Sequence, residues 1–598
     1  MRALLSHWRP AAVVLVLAVL PAAALADGGS DSFDPQKAPY SPTTPRAAGP
    51  ATPATPAAQP GMPPVTPERI AKMNKYFMNM YSQALETNDW VTKAFAVISM
   101  ARIDDPQYTP KLLEVAAKDS LPLVRVYAWE ALHARHAALT EEQRKGWLKI
   151  GQELHSLGLF RGQLRVGLVG LMRTEGATAE NTRRFLDLFY HTNSQDPNDI
   201  ATLGAMQDTL AEWRSPEIAR QLVGEMSNLD NAYRAEYVLQ GLASGVAPAV
   251  TLVDKGSAAM WAETQAAWTG WLGGANLKAK TEGLGSYTGQ STLMPKGETV
   301  NPNDPRWHKD LELGLLHLDQ LDVGFAVDST GSMTEVIRWI QRDVMRLMRA
   351  CGMLAREPRI GVCFYRDHGD EYVVKTTPLT DRGPDLAKAI SGVVAKGGAD
   401  VPEAVLDGLQ ALLNQQWSQG PRAKRVVILV GDAMPHKESM GEIQKLVEAS
   451  AGGGFRFFAV KARTRYGSSD LSSFDQIAAW GKGKAIEVNF YDQTGNVPVG
   501  ATAIAVAAEE GPYDQVMQEV VASIIPPNFR DRVPYFVKVL MQYVDDVVPE
   551  KRKAFGPKPP PAPPVIRHPG DRGPGGGGDR QPPRPPQPPP KPYDPQER

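Results

Sequence analysis

The stretch Leu321-Asp322-Val323-Gly324-Phe325-Ala326-Val327-Asp328-Ser329-Thr330-Gly331-Ser332-Met333 decides the fold. Leu321–Val327 is a short apolar run with little polar alternation, the pattern of a strand buried on both faces as in a parallel sheet. Asp328 to Ser332 supply small and hydroxylic residues, which make a loop. Beyond the loop Val336, Ile337, Ile340, Val344, Leu347 and Met348 recur at helical spacing, with Thr334 placed to cap the helix and Glu335 favourable in its first turn. Strand, loop and helix in that order open an α/β unit.

Towards the C-terminus the same alternation continues. Strands are expected at Ile360–Tyr365, Tyr372–Thr376, Val426–Val430, Phe455–Val460 and Ala485–Val488, with helices over 402–414, 438–450, 472–480 and 513–525. This predicts a doubly wound, mostly parallel α/β sheet covered on both faces, whose ligands bind outside the carboxyl ends of the strands. Three acidic loops fall on that edge: Asp328 with Thr330 and Ser332, Gly397-Gly398-Ala399-Asp400 ahead of Pro402-Glu403, and Gly431-Asp432. Oxygen-only donors, two of them hydroxyls, suit a hard divalent cation that keeps some of its water. Mg²⁺ is therefore expected, with Mn²⁺ or Ca²⁺ as alternatives, over Zn²⁺.

These residues resemble a von Willebrand factor type A domain with a metal-ion-dependent adhesion site, over about Leu321 to Ile525. The family's first motif, D-x-[ST]-x-S, matches at Asp328, Thr330 and Ser332. Its second-loop threonine falls on Asp400, and its third-loop aspartate on Asp432. The resemblance implies a Rossmann-like fold and a metal held by Asp328, Thr330, Ser332, Asp400 and Asp432. Aspartate in place of threonine adds negative charge, which favours metal retention over capture of a partner's carboxylate. The segments Tyr365-Arg366-Asp367-His368-Gly369-Asp370, Gly397–Glu403 and Asp432-Ala433-Met434-Pro435-His436 are similar to a subset of type A domains that accompany alpha-kinases. That likeness implies a rim made by Asp367, His368, Asp370, Glu403 and His436.

Towards the N-terminus, as far as about Ser244, apolar residues recur at three- and four-residue spacing. The clearest unit, Lys118–Leu132, places Asp119 and Pro122 at a turn and Val124, Tyr127, Ala128, Ala131 and Leu132 on one face. It resembles the second helix of a HEAT repeat, with weaker echoes near Val91, Leu164, Ala205–Trp213 and Tyr233. Stacked helix pairs are the implied architecture. Residues 251–318 lack a sustained period, and Trp261, Trp268, Trp271 and Trp307 are expected to cover a domain junction.

The two ends read differently. Arg2 and Arg9, the apolar Ala11–Leu20 and Ala24-Leu25-Ala26 form a signal peptide pattern, with cleavage expected before Asp27. Residues 27–67 and 551–598 are rich in proline and poor in aliphatic side chains, so neither buries enough surface to offset chain entropy. The expected organisation is thus a signal peptide over 1–26, a disordered tether over 27–67, HEAT-like helices over 68–250 and a connection over 251–318. The type A domain with a helical extension follows over 319–550, then the tail over 551–598.

Composition narrows the function. Lys+Arg at 65 against Asp+Glu at 66 gives a net charge of −1, which argues against a nucleic-acid partner. Cys351 and Cys363 are the two cysteines, too few for a disulfide framework or a Cys-rich zinc site and enough for one bridge at most. The expectation is an exported, periplasmic or extracellular, non-enzymatic module that binds a protein ligand through metal, with no transmembrane segment after signal cleavage. The slightly basic tail suits at most weak contact with anionic envelope polymers. Alternatives are an envelope protein whose metal only rigidifies its loops, a metal-assisted hydrolase with His436 or His368 as base, and an accessory subunit of a nucleotide-driven motor. The chain shows no serine elbow, H-E-x-x-H or P-loop to favour the hydrolase, and the export signal opposes the motor.

Overall fold

The structure, a computed structural model, describes residues 63–544 apart from 161, 193–196, 244–257, 283–292, 309–312, 399–400, 421, 469 and 491–511. The signal peptide, nearly all of the tether, the tail and Asp400 lie outside the described residues.

The sheet has six strands: β1 (Leu318–Asp328), β2 (Ala355–Tyr365), β3 (Val374–Thr380), β4 (Ala423–Gly431), β5 (Phe455–Arg463) and β6 (Ala485–Asn489), in the order β3-β2-β1-β4-β5-β6. All neighbours are parallel except β3, which runs antiparallel to β2. Each expected strand is present, and the doubly wound, mostly parallel sheet is what forms. The run Leu321–Val327 is buried on both faces. Val323, Phe325 and Val327 join one core, and Ala326 joins the other with Cys363, Val427 and Leu429. Helix Thr334–Leu354 packs on the first face, while Val405–Leu413, Met440–Gly452 and Ser472–Trp480 cover the second. Both cysteines are free and buried.

One local expectation changes. The N-cap of helix Thr334–Leu354 is Met333 and makes no side-chain cap bond. Thr334 instead donates its hydroxyl backwards to Gly331 O at 3.0 Å, because the preceding loop is already wound as a 3₁₀ turn at Gly331–Met333.

Ahead of the sheet lies a run of helices. The Lys118–Leu132 unit forms as a helix end, a turn and a new helix: Tyr108–Lys118 stops at Asp119, whose Oδ1 accepts from Leu121 N at 2.9 Å, and Pro122 opens Pro122–Ala131. These two helices pack together, as do Gly162–Glu175 with Pro197–Trp213 and Pro216–Glu225 with Leu229–Leu239. Trp129 and Trp147 lock successive helices reciprocally, each indole N–H donating to the other's backbone oxygen at 3.0 Å.

The tryptophans of the connection take a different place from the one expected. Helix Ala258–Gly274 packs on Pro216–Glu225 and buries Trp261 and Trp268 in the helical layer, with Trp271 edge-on to Trp268. Trp307 lies against Phe77, with Arg102 4.8 Å from its ring. Backbone bonds from Ala177 to Lys280 and from Asp104 to Glu298 lace this segment to the helices before it. The aromatic residues are far apart in sequence, so their common destination has no local periodicity to announce it.

The helical run and the sheet share one core, which extends from Phe77 to Val544. The helix Val533–Val544 returns to the N-terminal helices: Phe536 stacks on Trp90, Phe95 and Tyr127, and Tyr127 donates its hydroxyl to Phe536 O at 2.6 Å. Among the described residues no helix is long and apolar enough to cross a membrane.

Candidate functional site

The chain winds outward from β1 to β2 and β3, then returns to place β4 on the other side of β1. The carboxyl ends of β1 and β4 therefore diverge in connectivity, and the crevice between their loops is where such sheets bind ligands. Asp328 ends β1 and Asp432 follows β4, so strand register brings their loops side by side.

Asp328 is fully buried. Its Oδ1 accepts from Thr330 N at 2.8 Å and from the Thr330 hydroxyl at 2.7 Å. The Thr330 hydroxyl lies 3.4 Å from that of Ser332, which donates to Asp432 Oδ1 at 3.0 Å. The Thr464 hydroxyl donates to Asp432 Oδ2, and Ser468 N donates to Asp432 O at 2.6 Å. These bonds join Asp328, Thr330, Ser332 and Asp432 in one chain of contacts. Asp370 accepts from Gly398 N at 3.0 Å.

Gly397 and Gly398 hold φ of 85° and 71°. A Cβ at Gly397 would strike the Asp370 carboxyl. One at Gly398 would come within 2.7 Å of Thr330 Cβ and 3.0 Å of Glu403 Oε1. Only glycine allows this loop to close over the site.

Glu403, expected on the rim, is buried, because its backbone N–H bonds Met434 O at 2.9 Å and draws it beneath the loop after β4. Asp367 Oδ1 is in hydrogen-bond contact with His436 Nε2 at 2.6 Å. His368 is well exposed and pairs outward with Asp407 at 3.4 Å, its ring 5.8 Å from that of His436. Asp400 lies outside the described residues.

Other residues hold the site that the sequence did not single out. Arg366 donates to Ser329 O at 3.2 Å and Val394 O at 2.7 Å, and its guanidinium lies 4.1 Å from the Tyr372 ring, so it pins two loops together. Thr464 and Ser468 follow β5 in a stretch without a motif, and nothing short of the fold brings them to Asp432. Arg366 was within a quoted motif, but its bonds run to carbonyls of distant segments.

The electrostatics are unusual for an all-protein environment. Burial first, and then the charge of Asp432, pushes the Asp328 carboxyl up to about 7, against the pull of the Thr330 bonds. Burial, followed by Asp328, Asp367, Asp370 and Asp432, pushes Glu403 up to about 9. Asp432 is raised by burial as well, opposed by the Thr464 and Ser332 hydroxyls. Asp328 Oδ2 and Glu403 Oε2 are buried without any hydrogen-bond partner. Buried carboxylate oxygens lacking donors call for a cation or a proton, and an oxygen-only donor set fits a hard divalent ion.

Residues 322–497 match the family model of the von Willebrand factor type A domain. Such domains are in general protein-interaction modules without enzymatic activity. Two curated relatives overlap the chain in part. Alpha-protein kinase vwkA of Dictyostelium discoideum is 32% identical over 120 residues, 19% of this chain and 19% of that protein. An ariadne-like RING finger protein of Acanthamoeba polyphaga mimivirus is 27% identical over 119 residues, 20% of this chain and 12% of that protein. The chain thus spans less than a fifth of either relative's length. Among solved structures, BatB from Bacteroides thetaiotaomicron aligns over 32% of this chain and 95% of its own at 14% identity and a TM-score of 0.23. Proximal thread matrix protein 1 from the mussel byssus, solved with a zinc-occupied MIDAS motif, aligns over 29% and 44% at 18% identity and a TM-score of 0.23.

Proposed function

We propose that the protein is an exported, metal-dependent binding module in which the type A domain takes a protein ligand and the helical region, read as HEAT-like, serves as its scaffold. The observation that carries this reading is the pair of buried, partnerless oxygens, Asp328 Oδ2 and Glu403 Oε2, beside Thr330, Ser332 and Asp432. Thr330, Ser332 and Asp400 would hold a Mg²⁺-type ion directly, and Asp328 and Asp432 directly or through water. When bound, the ion supplies a Lewis-acidic position for an oxygen of the partner. Asp367, His368, Asp370, Glu403 and His436 shape and charge the approach to it.

The domain's general character as an interaction module supports a non-enzymatic role. The signal pattern of residues 1–26 supports a periplasmic or extracellular address. A mature N-terminus at Asp27 is the expected result of sequencing the processed protein, and one at Met1 would remove the export part of the reading.

The test is thermal unfolding of the full chain in EDTA and in Mg²⁺, Mn²⁺ or Ca²⁺, beside Asp328→Ala and Asp432→Ala. An ion at about 100 times its Kd stabilises the folded form by about 2.7 kcal/mol, which raises the midpoint by several degrees. Both variants should lose that rise. A wild-type midpoint indifferent to every ion overturns the reading, and a metal-bound protein whose ligand is not released by EDTA reduces the ion to a stiffener of loops.

A further inference from the structure

A second cluster lies well away from the sheet edge, in the helical region. His155 is in the last turn of helix Glu141–Ser156. Asp187 and His191 are one turn apart at the end of helix Ala179–Tyr190, His191 being its C-cap. A ring nitrogen of each histidine and a carboxylate oxygen of Asp187 lie within 4.8 Å of one another. His155 Nε2 is 3.5 Å from Asp187 Oδ2, His191 Nδ1 is 3.6 Å from Asp187 Oδ1, and the two imidazoles meet edge to face with centroids 5.6 Å apart.

His155 supplies the observation that goes beyond proximity. Only 7% of it is exposed, yet neither ring nitrogen makes a well-formed hydrogen bond, the Asp187 carboxylate lying 3.5 Å from Nε2. A histidine that merely packs in a core satisfies at least one nitrogen, since a buried unpaired polar group costs about 1–3 kcal/mol. His191 Nδ1, the nitrogen 3.6 Å from the Asp187 carboxylate, donates to the Asp187 backbone oxygen at 2.7 Å, a bond that must open for this nitrogen to meet an ion. His155 and Asp187 border a cleft of about 470 Å³, lined also by Lys149, Gln152 and Met172.

We propose that His155, Asp187 and His191 bind a transition-metal dication of the Zn²⁺ class, with its remaining coordination positions open to the cleft. Two imidazoles and one carboxylate favour Zn²⁺, Co²⁺ or Ni²⁺, whereas Mg²⁺ and Ca²⁺ prefer oxygen throughout. Bonds of about 2.0–2.1 Å require the ligand atoms to close up slightly. Asp187 and His191 have the freedom to do so, because their side chains are about half exposed. The donor chemistry separates this site from the oxygen-only loops of the type A domain.

The test uses the full chain stripped with chelator and titrated with Co²⁺, then with Zn²⁺. Co²⁺ should give visible d–d absorption of a nitrogen-ligated, low-coordinate site, and Zn²⁺ should displace it. Asp187→Asn and His191→Ala change exposed side chains, and circular dichroism should show them folded as the parent. Both should lose the absorption and bind Zn²⁺ at least about tenfold more weakly, while Asp328→Ala keeps both properties. The proposal is overturned if the parent shows no such absorption, if both helical variants retain it, or if it vanishes with Asp328→Ala instead.

Discussion

Asp328 and Glu403 each bury one carboxylate oxygen with no donor facing it, and the pH dependence of the site follows from that. Their folded values, raised to about 7 and about 9, exceed the ordinary carboxylate range. In the metal-free protein each therefore contributes stability that is full below about pH 4 and is lost as pH rises through its folded value. A divalent ion must displace those same protons, so its apparent affinity should climb as pH rises from about 6 to 9. Isothermal titration of Mg²⁺ or Mn²⁺ at several pH values checks this, and a flat affinity over that range contradicts it. Glu403→Gln should melt no lower than the parent in EDTA at about pH 8, while gaining less from the ion. Asp328 and Asp432 could be read from sequence because each ends or follows an apolar strand. Glu403 could only be placed at a rim, because its burial depends on a backbone bond to Met434.

At the scale of elements, Asp89 shows how a cap can also join two parts of the chain. It starts helix Trp90–Arg102 by accepting from Val91 N at 2.9 Å and Thr92 N at 3.3 Å. Its Oδ2 also receives Leu316 N at 2.6 Å and His317 N at 3.1 Å, just ahead of β1. Burial raises the Asp89 carboxyl, but the bonds from His317 and Thr92 outweigh it, and the net direction is down. The sign is that of a depressed acid: the stability it confers is present at neutral pH and is lost as pH falls through the lowered folded value. Asp89→Ala removes the cap and takes its acceptor from His317 N, while Leu316 N keeps the Thr92 hydroxyl at 3.0 Å, so it should cost about 2–3 kcal/mol at neutral pH. The gap from the parent should narrow in acid, and chemical denaturation at both pH values measures it. The pair of bonds from Asp89 to the chain ahead of β1 spans more than 220 residues and leaves no mark in the local sequence.

Across the whole molecule the helices and the sheet are bound by the C-terminal helix Val533–Val544. Phe536 lies in a cage of Trp90, Phe95 and Tyr127, with ring centroids 5.5, 4.8 and 5.5 Å away. Arg532 adds a bond from Nε to Ser99 Oγ at 2.7 Å, and Trp90 donates its indole N–H to Met353 O at 2.8 Å. A core shared in this way should unfold as one cooperative unit. Calorimetry of the parent is expected to show a single main transition, and Phe536→Ala should lower its stability by about 3–5 kcal/mol or divide the transition in two. Two well-separated transitions in the parent would show that the shared core does not couple its halves.

The amino-acid sequence by itself determined the order of strands and helices in the sheet domain, because burial on two faces and helical periodicity are written in neighbouring residues. It also determined which loops stand at the carboxyl edge, since a parallel sheet puts every β-to-α turn there. The tertiary structure alone decided that the helical run and the sheet share a core, that the connecting tryptophans belong to the helical layer, and that Glu403 is drawn inside. Those outcomes rest on contacts between residues as many as 433 apart. Such contacts depend on which surfaces meet once the elements have formed, and no local pattern of residues encodes that meeting.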